Sequence, residues 1–565
     1  MDDAKDVYPM HNTSDDPLQV PGLGTIPYNY ELQYSKRFAH GFNDWRQIPC
    51  ATARELAMTA IMNLLTEKEN WHVDIFNDEV VSEWCEEVSV MKLFSEKSWD
   101  WCLAELRDKA HIFKETKFPL VYGRTHVLSN GERLDLDLDF YKSGTLSPLY
   151  AKNAPSANFL EKIHQGKERP FEEISHPNLG MFRWSSRFQW LPCQVEFTGD
   201  EGTDVAITSY INNLSPTHHK PLYGVIEKLI SLAIEPWNRS LIRGRDGPVP
   251  IRICTYDAEY NSDQVTLEEG EKRKASDSQH PEPGTAFSYE DWKNGRNGKA
   301  VLDMDEYYFP KYGISPDYKH DMYEVKLQDT FRKEGLQVIV KMFSMELIPS
   351  QPSSSIGDWA LVGMLNEHIA ATCTYVYDES NVTDASITFR QEVWTQPGNY
   401  GCYSDDNDSF AEVFGLDHSQ YADGPSMQEL GSVSLQKGRL LTWPNTLQHR
   451  HEPIEIVNKS APGHRRFITL CLVDPHYRIC STRNVSPQRH DWWIKSALAS
   501  ANLAARGVPP EVNDMITGYT DEWPIGMEEA ERNKVDMMDE QRWVNRAIEE
   551  RAWKIHSCYC MGSYQ

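Results

Sequence analysis

Apolar residues recur at helical spacing over residues 52–65, at Leu56, Ala60, Ile61 and Leu64. The pair Asn77-Asp78 opens a second predicted helix towards Met91, and residues 99–110 form a third. These elements predict a helical N-terminal region over 31–115, after a flexible arm over 1–30. Residues 118–123 read as a strand. Leu134-Asp135-Leu136-Asp137-Leu138-Asp139-Phe140 alternates strictly, which predicts a strand with three aspartates on one face. Further strands are expected over 182–190, 194–197 and 205–211. A helix is expected over 221–237, with Val225, Leu229, Leu232 and Ala233 on one side.

From Leu336 the texture turns to short strands, over 336–342, 369–377, 387–393, 440–443 and 467–473. That spacing predicts a two-sheet jelly roll. The expected fold class is α+β, with a double-stranded β-helix core in a catalytic domain over 116–495. A polar stretch over 256–285 interrupts that domain as a loop or disordered insertion. After Pro487 helices return, and residues 527–556 form a long charge-laced one in a C-terminal extension over 496–565.

Composition adds bounds. With 565 residues, the chain is long enough for several domains. No apolar run reaches about 18 residues, so no membrane span is expected. The start, Met1-Asp2-Asp3-Ala4-Lys5-Asp6, is too acidic for a secretory signal. Eleven cysteines without a C-x-x-C pair suit reduced thiols and a cytoplasmic location. A net charge of −27 disfavours passive adhesion to nucleic acid or anionic membrane, though a local basic patch can override it. The runs Lys272-Arg273-Lys274 and Arg239-Ser240-Leu241-Ile242-Arg243-Gly244-Arg245 are the basic candidates, with Trp237 either stacking a base or filling the core.

Several blocks carry a family resemblance. They include Leu65-Thr66-Glu67-Lys68-Glu69-Asn70-Trp71-His72, Trp184-Ser185-Ser186-Arg187-Phe188-Gln189-Trp190-Leu191-Pro192-Cys193, Trp443-Pro444-Asn445-Thr446-Leu447-Gln448-His449-Arg450 and Pro462-Gly463-His464-Arg465-Arg466-Phe467. From about residue 30 to 490 the chain resembles the fungal family known as domain of unknown function 4246. Its ordinary members look like Fe(II)/2-oxoglutarate oxygenases, which bind iron through a His, a carboxylate two residues on, and a distant second His. The resemblance places the first two ligands within Trp359-Ala360-Leu361-Val362-Gly363, where Ala360 and Val362 offer no lone pair. It places the third ligand at His449 and the oxo-acid arginine at Arg465 or Arg466. It further implies the branch of arginine-containing cyclodipeptide synthases. Those join an arginyl and a second aminoacyl unit from aminoacyl-tRNAs, without a cofactor. An oxygenase of secondary metabolism and a catalytically silent binding protein are the alternatives.

Such a condensation needs a proton relay, oxyanion donors and an aligned pocket. Glu367, His368, His449 and Asn366 are the relay candidates, and on a strand Glu367 and His368 would face opposite ways, so at most one of the two lines the pocket. His449 could equally be a core histidine, and Glu367 a solvated strand-end carboxylate. Asp405 and Asp406 could receive the arginyl guanidinium, or simply form a turn. Asp135 and Asp137 could bind a cation, or protect an edge strand. Arg465 and Arg466 could hold an anion, or pair with Asp474 or Glu455.

Overall fold

The computed structural model describes residues 26, 30–44, 50–116, 128–129, 184–185, 187–216, 219–243, 251–253, 259–260, 278–284, 288–294, 323–393, 412–416, 427–490, 494, 509–519 and 525–561. The fold is a mixture of helices and antiparallel sheets. Four helices open it: α1 (Ala53–Thr66), α2 (Trp71–Asp74), α3 (Asp78–Ser89) and α4 (Glu96–Thr116). Thr52 caps α1, its Oγ1 accepting from the Glu55 N–H at 3.1 Å, and Asn77 caps α3 through the Glu79 N–H at 3.0 Å. The helices share a core of Met58, Ile61, Leu65, Trp84, Trp99 and Leu106, closed from outside by Ile253 and Trp292.

The strands are β1 (Leu128–Ser129), β2 (Cys193–Phe197), β3 (Val205–Ile207), β4 (Glu259–Tyr260), β5 (Ser278–Gln279), β6 (Leu336–Leu347), β7 (Ile369–Ser380), β8 (Ser386–Glu392), β9 (Met427–Ser434), β10 (Leu440–Pro444), β11 (Gln448–His451) and β12 (Gly463–Val473). Seven of them form one sheet in the order β1-β10-β7-β12-β6-β2-β3, and three form another in the order β11-β8-β9. Every neighbouring pair is antiparallel. β4 and β5 pair with each other within the stretch read as an insertion.

Helix α5 (Lys220–Ser240) lies on the outer face of the large sheet. Its Leu222, Ile226, Leu229, Ala233 and Trp237 pack on Val338, Val340, Cys373, Leu470 and Leu472. Trp237 is therefore core and cannot stack a base. Alternation turns Ile339, Lys341, Phe343 and Met345 of β6 to the inner face. There Phe389 and Ile387 of the small sheet meet Trp443, Leu441, Val376 and Phe467 of the large one. Short helix α6 (Tyr289–Lys293) packs on the N-terminal helices through Trp292 and α7 (Leu327–Thr330) joins the α5 core through Leu327, followed by α8 (Pro510–Gly518) and the long α9 (Met527–Met561). Helix α9 buries Met537, Val544, Ile548 and Ala552 against the rest of the fold.

Two local expectations change. Residues 187–190 are irregular rather than a strand, because side chains take the polar groups that a ladder would use. Ser185 Oγ accepts from Phe188 N–H at 2.9 Å, Asn366 Nδ2 donates to Phe188 O at 3.1 Å, and Glu367 accepts from Trp190 N–H at 2.6 Å. Glu367 and His368 do not lie on a strand either. Leu365–Glu367 is a 3-10 turn, and His368 follows it in the left-handed region at φ 45°. The expected strands over 118–123 and 134–140 fall outside the described residues.

Candidate functional site

The two positions of interest sit against the small sheet. Ala360 pairs with His449 in an antiparallel bridge, with N–H···O bonds of 3.1 and 3.0 Å in the two directions. Two residues on, Val362 is 9% exposed and packs with Trp190, Ile339, Ile369 and Cys471. Asn445 fixes this approach. Its Oδ1 accepts from Val362 N–H at 2.9 Å, while Nδ2 donates to Val362 O at 2.9 Å and Ile369 O at 3.0 Å. A ferrous ion at this place would have one imidazole, a methyl group and an isopropyl group around it. Among the described residues no three His, Cys, Asp or Glu side chains converge to hold a metal. The donor set here does not fit iron.

Glu367 is 1% exposed and forms a knot with the backbone. Oε1 accepts from Trp190 N–H at 2.6 Å and Oε2 from Met364 N–H at 2.7 Å. Gly363, at φ +75°, has no Cβ because one would collide with Oε2 of Glu367. Asn366 is likewise engaged, accepting from Ser185 N–H at 3.0 Å and donating to Phe188 O at 3.1 Å. Both side chains thus organise the turn that carries them. The His368 ring stacks on Tyr477 with centroids 3.7 Å apart, beside a small cavity lined by Glu31, Arg37, His40 and Asp474.

Lys341 is the residue that the sequence reading passed over. It is 6% exposed, with Nζ 3.1 Å from the Trp190 ring centroid. A lone lysine in the run Leu336-Gln337-Val338-Ile339-Val340-Lys341-Met342 was the available signal. His449 lies in the same region, against the Trp443 ring at 5.1 Å, and its Nδ1 has no hydrogen-bond partner among the described residues. Further along, Arg465 is 2% exposed and pairs with Glu379 at 3.2 Å. Its terminal nitrogens meet no well-aligned acceptor among the described residues. Arg466 points the opposite way, to Glu346 at 3.1 Å and Asp378 at 3.2 Å. Neither arginine pairs with Asp474 or Glu455. The antiparallel register sets Arg466 opposite Ser344 and Asp378, while Asp474 accepts from Phe38 N–H at 2.9 Å. Asp135, Asp137, Asp405 and Asp406 lie outside the described residues, as do Lys272, Arg273 and Lys274.

Burial, aided by His451, pushes His449 down to about 3, and burial beside Arg465 pushes His451 down to about 4. Burial raises Glu367 to about 7, with the Lys341 charge opposing the rise. The signs differ. An unfolded histidine binds its proton near pH 6.5, so the unfolded chain gains protons first on acidification. Histidine-linked stability is present above that pH and lost as pH falls towards 4. The Glu367 contribution runs the other way, present below about 4.5 and lost as pH rises through about 7. Burial also holds His368 well below the ordinary histidine value and raises Glu540, so three depressed histidines outweigh two raised carboxyls. The urea midpoint should therefore fall between pH 7 and about 4.5, and fall less in His451→Phe. A wild-type midpoint that is level or rising on acidification contradicts this balance.

The family described as protein of unknown function (DUF4246) matches residues 116–496, and its N-terminal domain of unknown function matches residues 20–87. The chain belongs to this family. No curated protein matches it. Among the described residues no helix is long and apolar enough to cross a membrane.

Proposed function

We propose that this chain is a metal-independent, arginine-containing cyclodipeptide synthase on an oxygenase-like jelly-roll scaffold. It takes arginyl-tRNA and a second aminoacyl-tRNA in the cytoplasm and releases a cyclo-Arg-Xaa diketopiperazine. The carrying observation is Ala360 bridged to His449, with Val362 built into an apolar cluster. Hydrocarbon at both positions turns the site away from iron-based oxidation and towards chemistry that needs only placement and proton movement. The tRNA ester is already activated, so no nucleotide or oxidant is consumed. The reaction requires an amine to lose a proton and an oxyanion to be stabilised. In this reading the guanidinium of the arginyl unit is received by Asp405 and Asp406, or by Asp135 and Asp137. Arg465, with its open donors, takes an anionic group of the tRNA end.

A second reading has one observation behind it. Both oxygens of Glu367 and the amide of Asn366 are spent on backbone groups, as befits a binding protein without turnover. Mass spectrometry of extract from a host expressing the chain separates the readings. Cyclo-arginyl dipeptides absent from the empty host support the synthase. Their absence, with a stable protein partner in pull-down, supports the binding protein. Stoichiometric iron with 2-oxoglutarate turnover overturns both.

A further inference from the structure

We propose that Lys341 is the general base of this acyl transfer, its Nζ taking the proton from the α-ammonium of the attacking aminoacyl unit. The assignment rests on the synthase reading. It starts from a lysine that is 6% exposed and has no ion-pair partner among the described residues. Among the described residues Lys341 has no hydrogen-bond acceptor and no carboxylate within ion-pair distance, and its contact is the Trp190 ring at 3.1 Å. A methionine or leucine would fill that inner-face position without the desolvation cost, which for a lone ammonium is several kcal/mol.

The groups around it narrow the choice of base. Cys471 faces it from β12, Glu367 from the 3-10 turn and His449 from β11. Glu367 has both oxygens occupied by N–H donors, and His449 is too weak a base once burial holds it near about 3. The thiol of Cys471 is pushed up by burial and stays protonated. Burial lowers the proton affinity of Lys341 below that of an ordinary lysine, which favours the neutral amine that a base must be. Trp190 shares an apolar cluster with Val362, so the amine over the Trp190 ring lies near one of the two hydrocarbon positions.

The step balances without a further reagent. Lys341 takes one proton from the α-ammonium, and the freed amine attacks the arginyl ester carbonyl. The C–N bond forms, and the C–O bond to the ribose breaks. The ribose oxygen leaves with a remaining amine proton, and Lys341 returns its own to water.

The test uses purified chain, arginyl-tRNA and a second aminoacyl-tRNA, with product read by mass spectrometry. Lys341→Met is expected to form product about 100-fold more slowly or worse, with a urea midpoint at or above wild type. Lys341→Arg, always protonated, is expected to be equally slow. The wild-type rate should climb with pH as the amine deprotonates, which a packing role would not produce. Wild-type product with an equally active Lys341→Met overturns the assignment alone. If Lys341→Met does not fold, a wild-type rate that is flat from about pH 6 to about 9 overturns it. A wild-type chain that forms no product overturns the synthase reading, and the assignment with it.

Discussion

Glu367→Ala should destabilise the chain by about 3–5 kcal/mol, since it orphans two buried N–H donors at about 1–3 kcal/mol each. The donors are those of Trp190 and Met364, and no water-exposed route replaces the lost carboxylate in a residue that is 1% exposed. The damage would spread, because the same knot holds the irregular segment over 187–190 against the turn at 365–367. Glu367→Gln keeps one acceptor and turns an amide donor towards the other N–H, so about half the loss is expected. Urea unfolding followed by tryptophan fluorescence measures both. Glu367→Ala within 1 kcal/mol of wild type would show that the carboxylate is not the organiser of this turn.

Arg252→Met should cost the helical region a comparable amount, about 3–5 kcal/mol, by stranding two buried carboxylates. Arg252 is 2% exposed and donates to Glu105 at 2.7 Å through Nε and 2.6 Å through Nη2. It also reaches Glu55 at 3.5 Å, while its own backbone N–H donates to Glu55 at 3.1 Å. Once the guanidinium is gone, Lys109 remains 4.0 Å from Glu105. The contrast comes from a triple change, Arg252→Met with Glu55→Leu and Glu105→Leu. Removing all three charges together should recover most of the lost stability, because the desolvation cost disappears with them. A single variant as stable as wild type, or a triple variant no better than the single, contradicts the ion-triad account.

Much of the scaffold was readable from residue order. The apolar spacing over 52–65 announced α1, Asn77 announced the start of α3, and the apolar stripe of α5 announced the helix that covers the large sheet. The strands that escaped notice had no alternation to show. β11 is Gln448–His451, a wholly polar run of which only Gln448 is fully buried, so no apolar pattern marks it. β9 carries Gly431 at φ +106° beside a register shift against β8. The turn at 365–367 resembled a strand end because only tertiary bonding, from Trp190, Ser185 and Phe188, makes it fold back. Within the site, Ala360, Val362 and His449 were legible as positions. Lys341 was not, because a single lysine in an apolar strand carries no mark of burial in the sequence itself. Asn445 was hidden for a similar reason, since its bonds go to residues more than seventy positions away.

The proposed reaction joins aminoacyl units in this interior without a metal. It is tested most directly with purified chain, stripped by chelator and given arginyl-tRNA plus a mixture of other aminoacyl-tRNAs. Mass spectrometry of the products should find an arginine-containing diketopiperazine that persists in the chelator. No such product, together with succinate formed once Fe(II) and 2-oxoglutarate are added, would contradict the account.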